Sequence, residues 1–351
     1  MAYTTINKST DYFNTKLWTG NSDTTRDITG VGFQPDWSWV KNRSFASDHR
    51  VADAVRGANK GLVPNGTDAE DTSTTAVKSF LSDGIQIGNE QSFNRNGDNH
   101  VGWFWKANGA GSANTDGSIN TISTSVNTTA GFSISRYTGT GANATVGHGL
   151  GAVPQVVIAR NITDTEQWTT YHVGLDATAP EDYHVRLNTT DPRVDEASVW
   201  NDTAPTSSVF SVGSSGAPNG SGDNHIAYCF TEKTGYSKFG SYTGNGNADG
   251  TFVYTGFKPS WVIFKATDST TSESWLILDT VRQSYNVNNR RLRPNSNNAE
   301  DTPTANNVDL LSNGFKIRNS DNRLNGNGHK LIYMAFGQSL VGSNNVPCTA
   351  R

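Results

Sequence analysis

The sequence predicts an all-β protein made of three tandem antiparallel β-sandwich modules, jelly-roll-like and each a little over 100 residues long. Three observations predict this class. Short runs rich in β-branched and aromatic residues recur between turn signals. No window of a dozen residues repeats its apolar side chains at the helical period. A set of landmarks recurs three times in the same order, which indicates an internal repeat.

The landmarks are short motifs separated by constant spacings. Each copy opens with an aromatic residue followed by Thr-Gly, at residues 18–20, 137–139 and 242–244. In every copy a proline follows that glycine after 15 positions, and a basic residue follows the proline after 6. The prolines and the basic residues are Pro35, Pro154 and Pro259, then Lys41, Arg160 and Lys265. Landmarks that agree at this many places are not expected by chance.

These landmarks divide the chain into three modules. We expect repeats at residues 1–108, 130–234 and 235–340, the second being the most divergent. Residues 109–129 are rich in Gly, Ser, Thr and Asn and are predicted to be a linker. Residues 341–351 are predicted to be a C-terminal tail. Each repeat is long enough to enclose a core of its own, unlike the 20–50-residue unit of a solenoid.

The third copy illustrates the predicted elements. Its strands are expected over the runs 252–254, 261–265, 274–279, 314–317 and 331–336. The G-F-x-P element before the second of these runs punctuates a turn, and proline fits there because it donates no ladder bond. A short helical turn is possible at Asp279–Arg282 and at the matching Asp53–Arg56.

Composition excludes several classes of partner and site. The chain has 351 residues and a formal net charge of -4, which does not indicate nucleic acid or an anionic membrane as partner. No apolar run reaches the roughly 18 residues that a membrane helix needs, and the first residues do not read as a secretory signal. The two cysteines, Cys229 and Cys348, exclude a disulfide framework and a cysteine-based zinc site.

A repeated G-D-N-H motif supplies the candidate binding residues. It occurs at Gly97–His100 and Gly222–His225, and a related G-N-G-H lies at Gly326–His329. We interpret it first as the turn that starts the last strand of each module, since Gly, Asn and Asp favour hairpin turns. The alternative is a ligand-contacting loop rim. That hypothesis takes as its binding residues Asp98, His100, Asp223, His225 and His329.

Catalytic and cofactor motifs are not found. The best acidic candidates are Glu70-Asp71 and Glu300-Asp301, since glycoside hydrolysis needs two carboxyl groups across one bond. Adjacent residues on a strand point to opposite faces, so a structural role for these pairs is favoured. No nucleophile, phosphate-loop, zinc-protease or dinucleotide motif is present, so we predict no catalytic residue, no metal and no cofactor.

Several landmarks together resemble a repeat family of tailed bacteriophages, especially marine and cyanobacterial ones. The residues that carry the resemblance are Gly32–Lys41, Asp53–Gly57, Asn65–Glu70 and Asn96–Ala107, with partial copies later in the chain. The second copy lacks the D-x-x-R-G and A-E elements. The resemblance implies a non-enzymatic structural protein of the virion surface, assembled in the host cytoplasm as a tail-fibre or appendage component.

The same resemblance implies partners. Other virion proteins and a host-surface glycan are the expected ones, without nucleic acid or membrane insertion, and fibre analogy alone suggests a homotrimer. Repeated modules would add avidity to weak contacts. Two alternatives stay open at this point: a capsid decoration or stabilising protein, and a polysaccharide-degrading tail enzyme.

Overall fold

The computed structural model describes residues 4–268 and 272–339 and confirms the all-β class. We refer to the ranges 1–108, 130–234 and 235–340 as segments 1, 2 and 3. Segment 1 contains one helical turn, α1 (Gln91–Asn94), after a 3₁₀ turn at Ser9–Asp11. Its strands are β1 (Phe13–Thr19), β2 (Arg26–Thr29), β3 (Trp37–Asn42), β4 (Arg50–Asp53), β5 (Lys60–Gly61), β6 (Asp71–Thr72), β7 (Val77–Leu81), β8 (Gly84–Ile87) and β9 (Asn99–Trp105).

Segments 2 and 3 contain the remaining elements. The next strands are β10 (Ser123–Asn127), β11 (Phe132–Thr138), β12 (Ala144–Gly147), β13 (Val156–Asn161), β14 (Thr169–His172), β15 (Tyr183–Arg186), β16 (Val194–Asp195), β17 (Val209–Val212) and β18 (Asn224–Phe230). The last are β19 (Ser237–Thr243), β20 (Phe252–Tyr254), β21 (Phe257–Ala266), β22 (Leu276–Asp279), β23 (Val308–Leu311), β24 (Gly314–Ile317) and β25 (Lys330–Ser339). Short helical turns are α2 (Ala197–Trp200), α3 (Gly216–Asn219) and α4 (Asn322–Asn325), with a 3₁₀ turn at Pro180–Asp182.

Each segment contains four strands in the same antiparallel order. The orders are β1-β9-β3-β4, β11-β18-β13-β14 and β19-β25-β21-β22, so the last long strand always lies between the first and the third. A smaller sheet accompanies each of them: β2-β8-β7, β12-β17 and β20-β24-β23. The two sheets of a segment enclose an apolar core, as expected of a sandwich.

The larger sheets are buried on both faces, which explains their continuous apolar runs. In β3 every residue is buried: Trp37 and Trp39 point to one face, and Val40 belongs to the core on the other face. In β9, Trp103 and Trp105 alternate with Phe104 in the same way. One face of each large sheet therefore packs inside its own segment, and the opposite face packs elsewhere.

That opposite face forms one core shared by all three segments. It collects residues from Ile6 to Phe336, among them six tryptophans of segments 1 and 3 and one of segment 2. Its rings contact one another across segment boundaries. Trp37 stacks on Tyr228 at 4.6 Å between centroids, and Trp105 meets Trp261 edge-on at 5.5 Å. The expectation of one self-contained core per repeat is therefore incomplete, since one face of each large sheet packs in a core shared with the other segments.

The linker predicted at residues 109–129 needs correction. Strand β10 lies inside this range and pairs with β11, from Ser123 opposite Arg136 to Asn127 opposite Phe132. Upstream of it, Ile119 is buried and forms a bridge with Val146 of β12. Small polar residues suit this path because they hydrogen-bond along both sheet edges. The predicted tail at 341–351, with Cys348, lies outside the described residues.

Candidate functional site

The repeated glycine turn precedes the last long strand in all three segments. Gly97, Gly222 and Gly328 have positive φ values of 77°, 81° and 76°, a region that glycine enters without steric cost. In segment 1 the Gly97 N–H donates to Gly20 O at 2.9 Å, while the Gly20 N–H donates to Asp98 O at 2.8 Å. The same pair of bonds recurs in the other two segments. The turn therefore ties the start of the last strand to the end of the first.

The two histidines of the G-D-N-H motif lie inside the protein. The ring of His100 is stacked on Trp18 at 5.7 Å, and the ring of His225 is stacked on Tyr137 at 5.2 Å. Both residues are fully buried. Burial lowers the pKa of each imidazole. These rings present no exposed face to a ligand.

The hydrogen bonds of His225 suggest its tautomer. Its Nδ1 lies 3.1 Å from Asp223 O, and its Nε2 accepts the Gly220 N–H at 3.1 Å. A neutral ring with the proton on Nδ1 satisfies these two contacts. Nε2 also lies 3.2 Å from Gly216 O, a contact that this tautomer leaves without a proton. The imidazole thus joins the turn to the start of β18 from within the sandwich.

The aspartates of the motif hold the turn to a neighbouring strand. Asp98 Oδ2 accepts the side-chain amide of Asn42 at 2.8 Å, and Asp223 Oδ2 accepts that of Asn161 at 2.9 Å. Asn42 and Asn161 end the third strand of their segments. Both carboxylates therefore have a structural partner in the same position.

The predicted equivalence of His329 with His100 and His225 is wrong. Trp18 is paired with His100, and Tyr137 with His225, but the matching Tyr242 is paired with Leu331. His329 instead takes the place of Asp98, since its carbonyl accepts the Gly244 N–H as Asp98 O accepts that of Gly20. The shift is two positions, because the histidine comes one residue after the positive-φ glycine in segment 3 and three residues after it in segment 1.

The side chain of Glu300 reaches a neighbouring segment, whereas those of Glu70, Asp71 and Asp301 form ion pairs within their own segments. Glu300 of segment 3 makes a bidentate ion pair with Arg43 of segment 1 at 2.7 and 2.9 Å, and it also binds Arg282 at 2.9 Å. Burial opposes its charged form, but the hydrogen bonds and charges of Arg43 and Arg282 outweigh it and lower the pKa of Glu300. A carboxylate held in this way is a poor general acid.

Two buried Asp–Arg pairs lie at the same boundaries. Asp53 pairs with Arg56, and Asp279 pairs with Arg282, all with side chains fully buried. Each aspartate also accepts a hydrogen bond from the neighbouring segment: Tyr228 Oη donates to Asp53 at 2.8 Å, and Trp103 Nε1 donates to Asp279 at 3.1 Å. The D-x-x-R element is therefore a contact between segments.

Segment 2 replaces this element with a different pair of groups. The strand register puts His172 at the position of Asp53 and Asp279. Its neighbour in segment 3 offers Met334 where the other segments have Trp103 and Tyr228. Without an aromatic donor, His172 Nε2 lies 3.1 Å from the backbone carbonyl of Tyr333. Segment 2 thus lacks the aspartate, and the facing strand β25 lacks the aromatic side chain that would donate to it.

The basic residue that follows each repeated proline by six positions contacts a neighbouring segment. Arg160 donates to the carbonyl oxygens of Thr67 and Asp68. Lys265 donates to Thr190 O at 2.8 Å, and Lys41 donates to Asn297 O at 3.2 Å. All three basic residues are fully buried, and burial lowers the pKa of each, to about 8 for Lys41 and Lys265. Each cation therefore binds a loop of a different segment.

Two indole N–H groups also donate to backbone carbonyls of a neighbouring segment. Trp168 Nε1 donates to Val63 O at 3.0 Å, and Trp275 Nε1 donates to Arg186 O at 3.0 Å. The strand register puts His49 at the corresponding place in segment 1, where its Nδ1 accepts Trp39 Nε1–H at 2.9 Å. Backbone bonds accompany these contacts, such as Glu70 N–H to Ile162 O at 3.0 Å.

These contacts form a closed cycle that we call the interface ring. The loop 63–70 of segment 1 binds segment 2, the loop 186–193 of segment 2 binds segment 3, and the loop 293–300 of segment 3 binds segment 1. The sequence contained a signal for it, namely the constant spacing to Lys41, Arg160 and Lys265, but nothing in that spacing names the partner loop.

The match to a known family extends through the whole interface ring. Residues 8–339 match a family described as a domain of unknown function, DUF7483. The chain belongs to the DUF7483 family. The match is a single stretch through all three segments, so the DUF7483 unit corresponds to the closed ring and not to one segment. No curated protein matches the chain.

Further features of this DUF7483 chain bear on the predicted site. Within residues 4–268 and 272–339, no three His, Cys, Asp or Glu side chains are grouped as a metal site would need. No helix in these ranges is long and apolar enough to cross a membrane. The Cys229 thiol is buried, and burial raises its pKa, so it is a core side chain in this fold.

Proposed function

We propose that this DUF7483 protein is a non-enzymatic structural component of a bacteriophage virion. In this proposal it belongs to a tail fibre or appendage and contributes to attachment to a host-surface glycan. The observation that carries the proposal is the interface ring, because the charged residues best suited to chemistry are used to join segments. A closed ring of sandwiches is a rigid support from which loops can reach a partner.

The location is tested by cryo-electron microscopy of the intact particle that carries the chain. We expect density that fits the three-segment ring on the tail or its fibres. Density on the capsid shell would contradict the tail assignment and favour a decoration protein that binds the major capsid protein.

The non-enzymatic role is tested with purified protein and host polysaccharide. We expect binding without release of new reducing ends, even at high protein concentration. Release that is lost in both Glu70→Gln and Glu300→Gln, with folding retained, would overturn this part of the proposal. Asp11→Asn is a suitable control, since its ion pair with Lys8 lies at the surface.

The expected homotrimer stays a proposal, with a restriction on its geometry. The lateral contacts that could join three single modules are already made within one chain by Lys41, Arg160 and Lys265. A trimer of the whole chain has to use other surfaces. Analytical ultracentrifugation of the purified chain measures whether such a trimer forms.

A further inference from the structure

An open cleft lies beside the first strand of segment 1. It has a volume of about 400 Å³ and runs between β1 and β2, with Val281 of segment 3 at its side. β1 and β2 are both at the edge of their sheets, so no strand in the described ranges pairs with the outer side of either. Leu17 and Val281 are 40% and 44% exposed there. Proteins usually guard such edges with charge or cover them. Here Lys16, Arg26 and Asp27 also line the cleft, and Arg26 Nη1 donates to Thr19 O at 2.6 Å, so the Leu17 end of β1 is the part left open.

The corresponding cleft of segment 2 is filled by the chain itself. Strand β10 pairs with β11, which corresponds to β1. Ile119 bridges to Val146 of β12, which corresponds to β2, and its N–H donates to Thr145 O at 2.9 Å. Residues 112–127 thus bind both sheet edges at once and bury an isoleucine between them. The fold therefore contains one filled and one open version of the same cleft.

The backbone of β1 is oriented to accept a strand. The register puts Leu17 at the position of Arg136, whose carbonyl accepts the Ile122 N–H at 2.7 Å. Since alternate residues of an antiparallel strand face the same neighbour, the N–H and C=O of Leu17 point away from β9. Two residues earlier, the Thr15 N–H is held by Asn14 Oδ1 at 2.9 Å. A neutral amide is readily displaced by an incoming strand.

Segment 3 has a similar cleft but a better-protected edge. That cleft measures about 380 Å³ and includes Tyr254. The Phe239 N–H, at the position of Thr15, donates to the Glu232 carboxylate at 2.8 Å, and Glu232 also binds Lys238. An incoming strand would have to displace a charge-assisted bond, which is about twice as strong as a neutral one. Segment 1 is therefore the preferred acceptor.

We propose that the β1–β2 cleft binds an extended strand of a partner polypeptide by strand addition. The partner segment is rich in Ser and Thr like residues 112–127, and it carries an aliphatic side chain at the place of Ile119. Main-chain bonds to β1 would give affinity, and the aliphatic contact with the cleft would give register. This docking does not depend on whether the protein lies on a tail or on a capsid.

The probe is a synthetic, labelled peptide with the sequence of residues 112–127, added to the full-length protein. We expect saturable binding by fluorescence anisotropy and slower amide exchange at Leu17. Leu17→Pro should weaken binding by at least about tenfold, because it removes the outward donor without removing a bond to β9. Leu17→Lys gives a second variant that leaves the backbone intact and should weaken binding, because a bound strand would remove water from the new ammonium group and the apolar contact of Leu17 is lost.

Phe252→Lys is the control: it puts the same charge on an exposed residue of β20, the edge strand of segment 3 that corresponds to β2, and should bind as the unchanged protein does. Equal binding by both Leu17 variants would overturn the proposal, as would a dissociation constant weaker than about 1 mM. A dimer in sedimentation velocity that is lost in Leu17→Lys would also contradict it, because the occupant would then be a second copy of this chain.

Discussion

At the residue scale, buried polar groups are used as connectors. Asp279 accepts from its own Arg282 and from Trp103 of another segment, and all three side chains are buried. A buried charge is tolerated when it is paired and fully hydrogen-bonded. Removing one member leaves the other charged and without compensation, which is where a large cost arises.

We therefore expect Asp279→Ala to lower the free energy of unfolding by about 3 kcal/mol, the lower end of the cost of breaking a buried pair. Arg282 would lose its fully buried partner and keep Glu300, and Trp103 Nε1 would lose its acceptor. Asp11→Ala removes a half-exposed ion pair with Lys8 and should cost less than about 1 kcal/mol. Urea denaturation of both variants checks this. If the free energy of unfolding falls by a similar small amount in the two variants, the buried Asp279–Arg282 pair contributes no more than the surface Lys8–Asp11 pair.

Buried histidines make a second prediction at this scale. Burial lowers the pKa of His172 and of His184 to about 4, from an ordinary value of 6.5. The unfolded chain binds protons at these rings below pH 6.5, whereas the folded chain does so only near pH 4. By linkage, the contribution of these neutral rings to the free energy of unfolding is fully present above pH 6.5, and it is lost as the pH drops toward 4.

Urea denaturation between pH 4 and pH 8 measures this slope. His172→Gln keeps a side-chain donor but does not titrate, so its profile should be shallower than that of the unchanged protein. An identical acid slope in the variant would show that His172 does not contribute.

At the element scale, the same strand order serves three segments that differ in detail. The edge of the first long strand is covered by β10 in segment 2, held by Asn14 in segment 1 and held by Glu232 in segment 3. The turn before the last strand keeps a glycine with positive φ throughout, whatever residue follows it. The three segments therefore keep the same backbone conformation at this turn, while the side chains that hold the strand edges differ.

The interface ring leads to a prediction in alkali. Burial lowers the pKa of Lys41 and of Lys265 to about 8, from 10.5. Above pH 8 the folded chain loses these protons before the unfolded chain does, so the free energy of unfolding should rise from pH 8 toward pH 10. At higher pH it should fall, since burial raises the pKa of tyrosines such as Tyr137 and Tyr236.

The matched variant for this prediction is Lys41→Met with Lys265→Met, which fills similar space without a titrating group. We expect lower stability at neutral pH and no rise between pH 8 and pH 10. Chemical denaturation across that range is the measurement. A rise of equal size in the double variant would assign it to other groups.

At the scale of the whole molecule, the three segments share one core, and we therefore expect them to fold as one unit. The shared core takes Trp37, Trp103 and Trp105 from segment 1 and covers them with segments 2 and 3. An aromatic side chain of this size buries roughly 150–250 Å². By area alone, the burial of each tryptophan therefore stabilises the fold by about 4–6 kcal/mol. A segment on its own would expose all of them to water.

Expressing residues 1–108 and 109–351 as separate chains tests this. Neither chain is expected to unfold cooperatively alone, and the mixture should form a 1:1 complex with native tryptophan fluorescence. The break follows Asn108, which is exposed, so a nick there in the intact protein is the control and should leave it folded. Cooperative unfolding of isolated 1–108 as a monomer would contradict the single-unit view.

The sequence by itself determined the all-β class, the approximate positions of several strands and the places where glycine and proline are needed. These follow from local physics: side chains alternate along a strand, and only certain residues fit a turn. It also gave the constant spacing to Lys41, Arg160 and Lys265, although not the function of these residues.

Only the tertiary structure decided what covers the second face of each large sheet. A run such as W-S-W-V states which side chains share a face, but it does not state whether that face meets its own module or a neighbour. Lys41 and Asn297 are distant in the chain and adjacent in space, and no local pattern encodes that distance. The equivalence of His329 failed for a related reason: His329 directly follows the positive-φ residue Gly328, whereas His100 comes three residues after Gly97. Pairing with β19 therefore places Leu331, and not His329, opposite Tyr242.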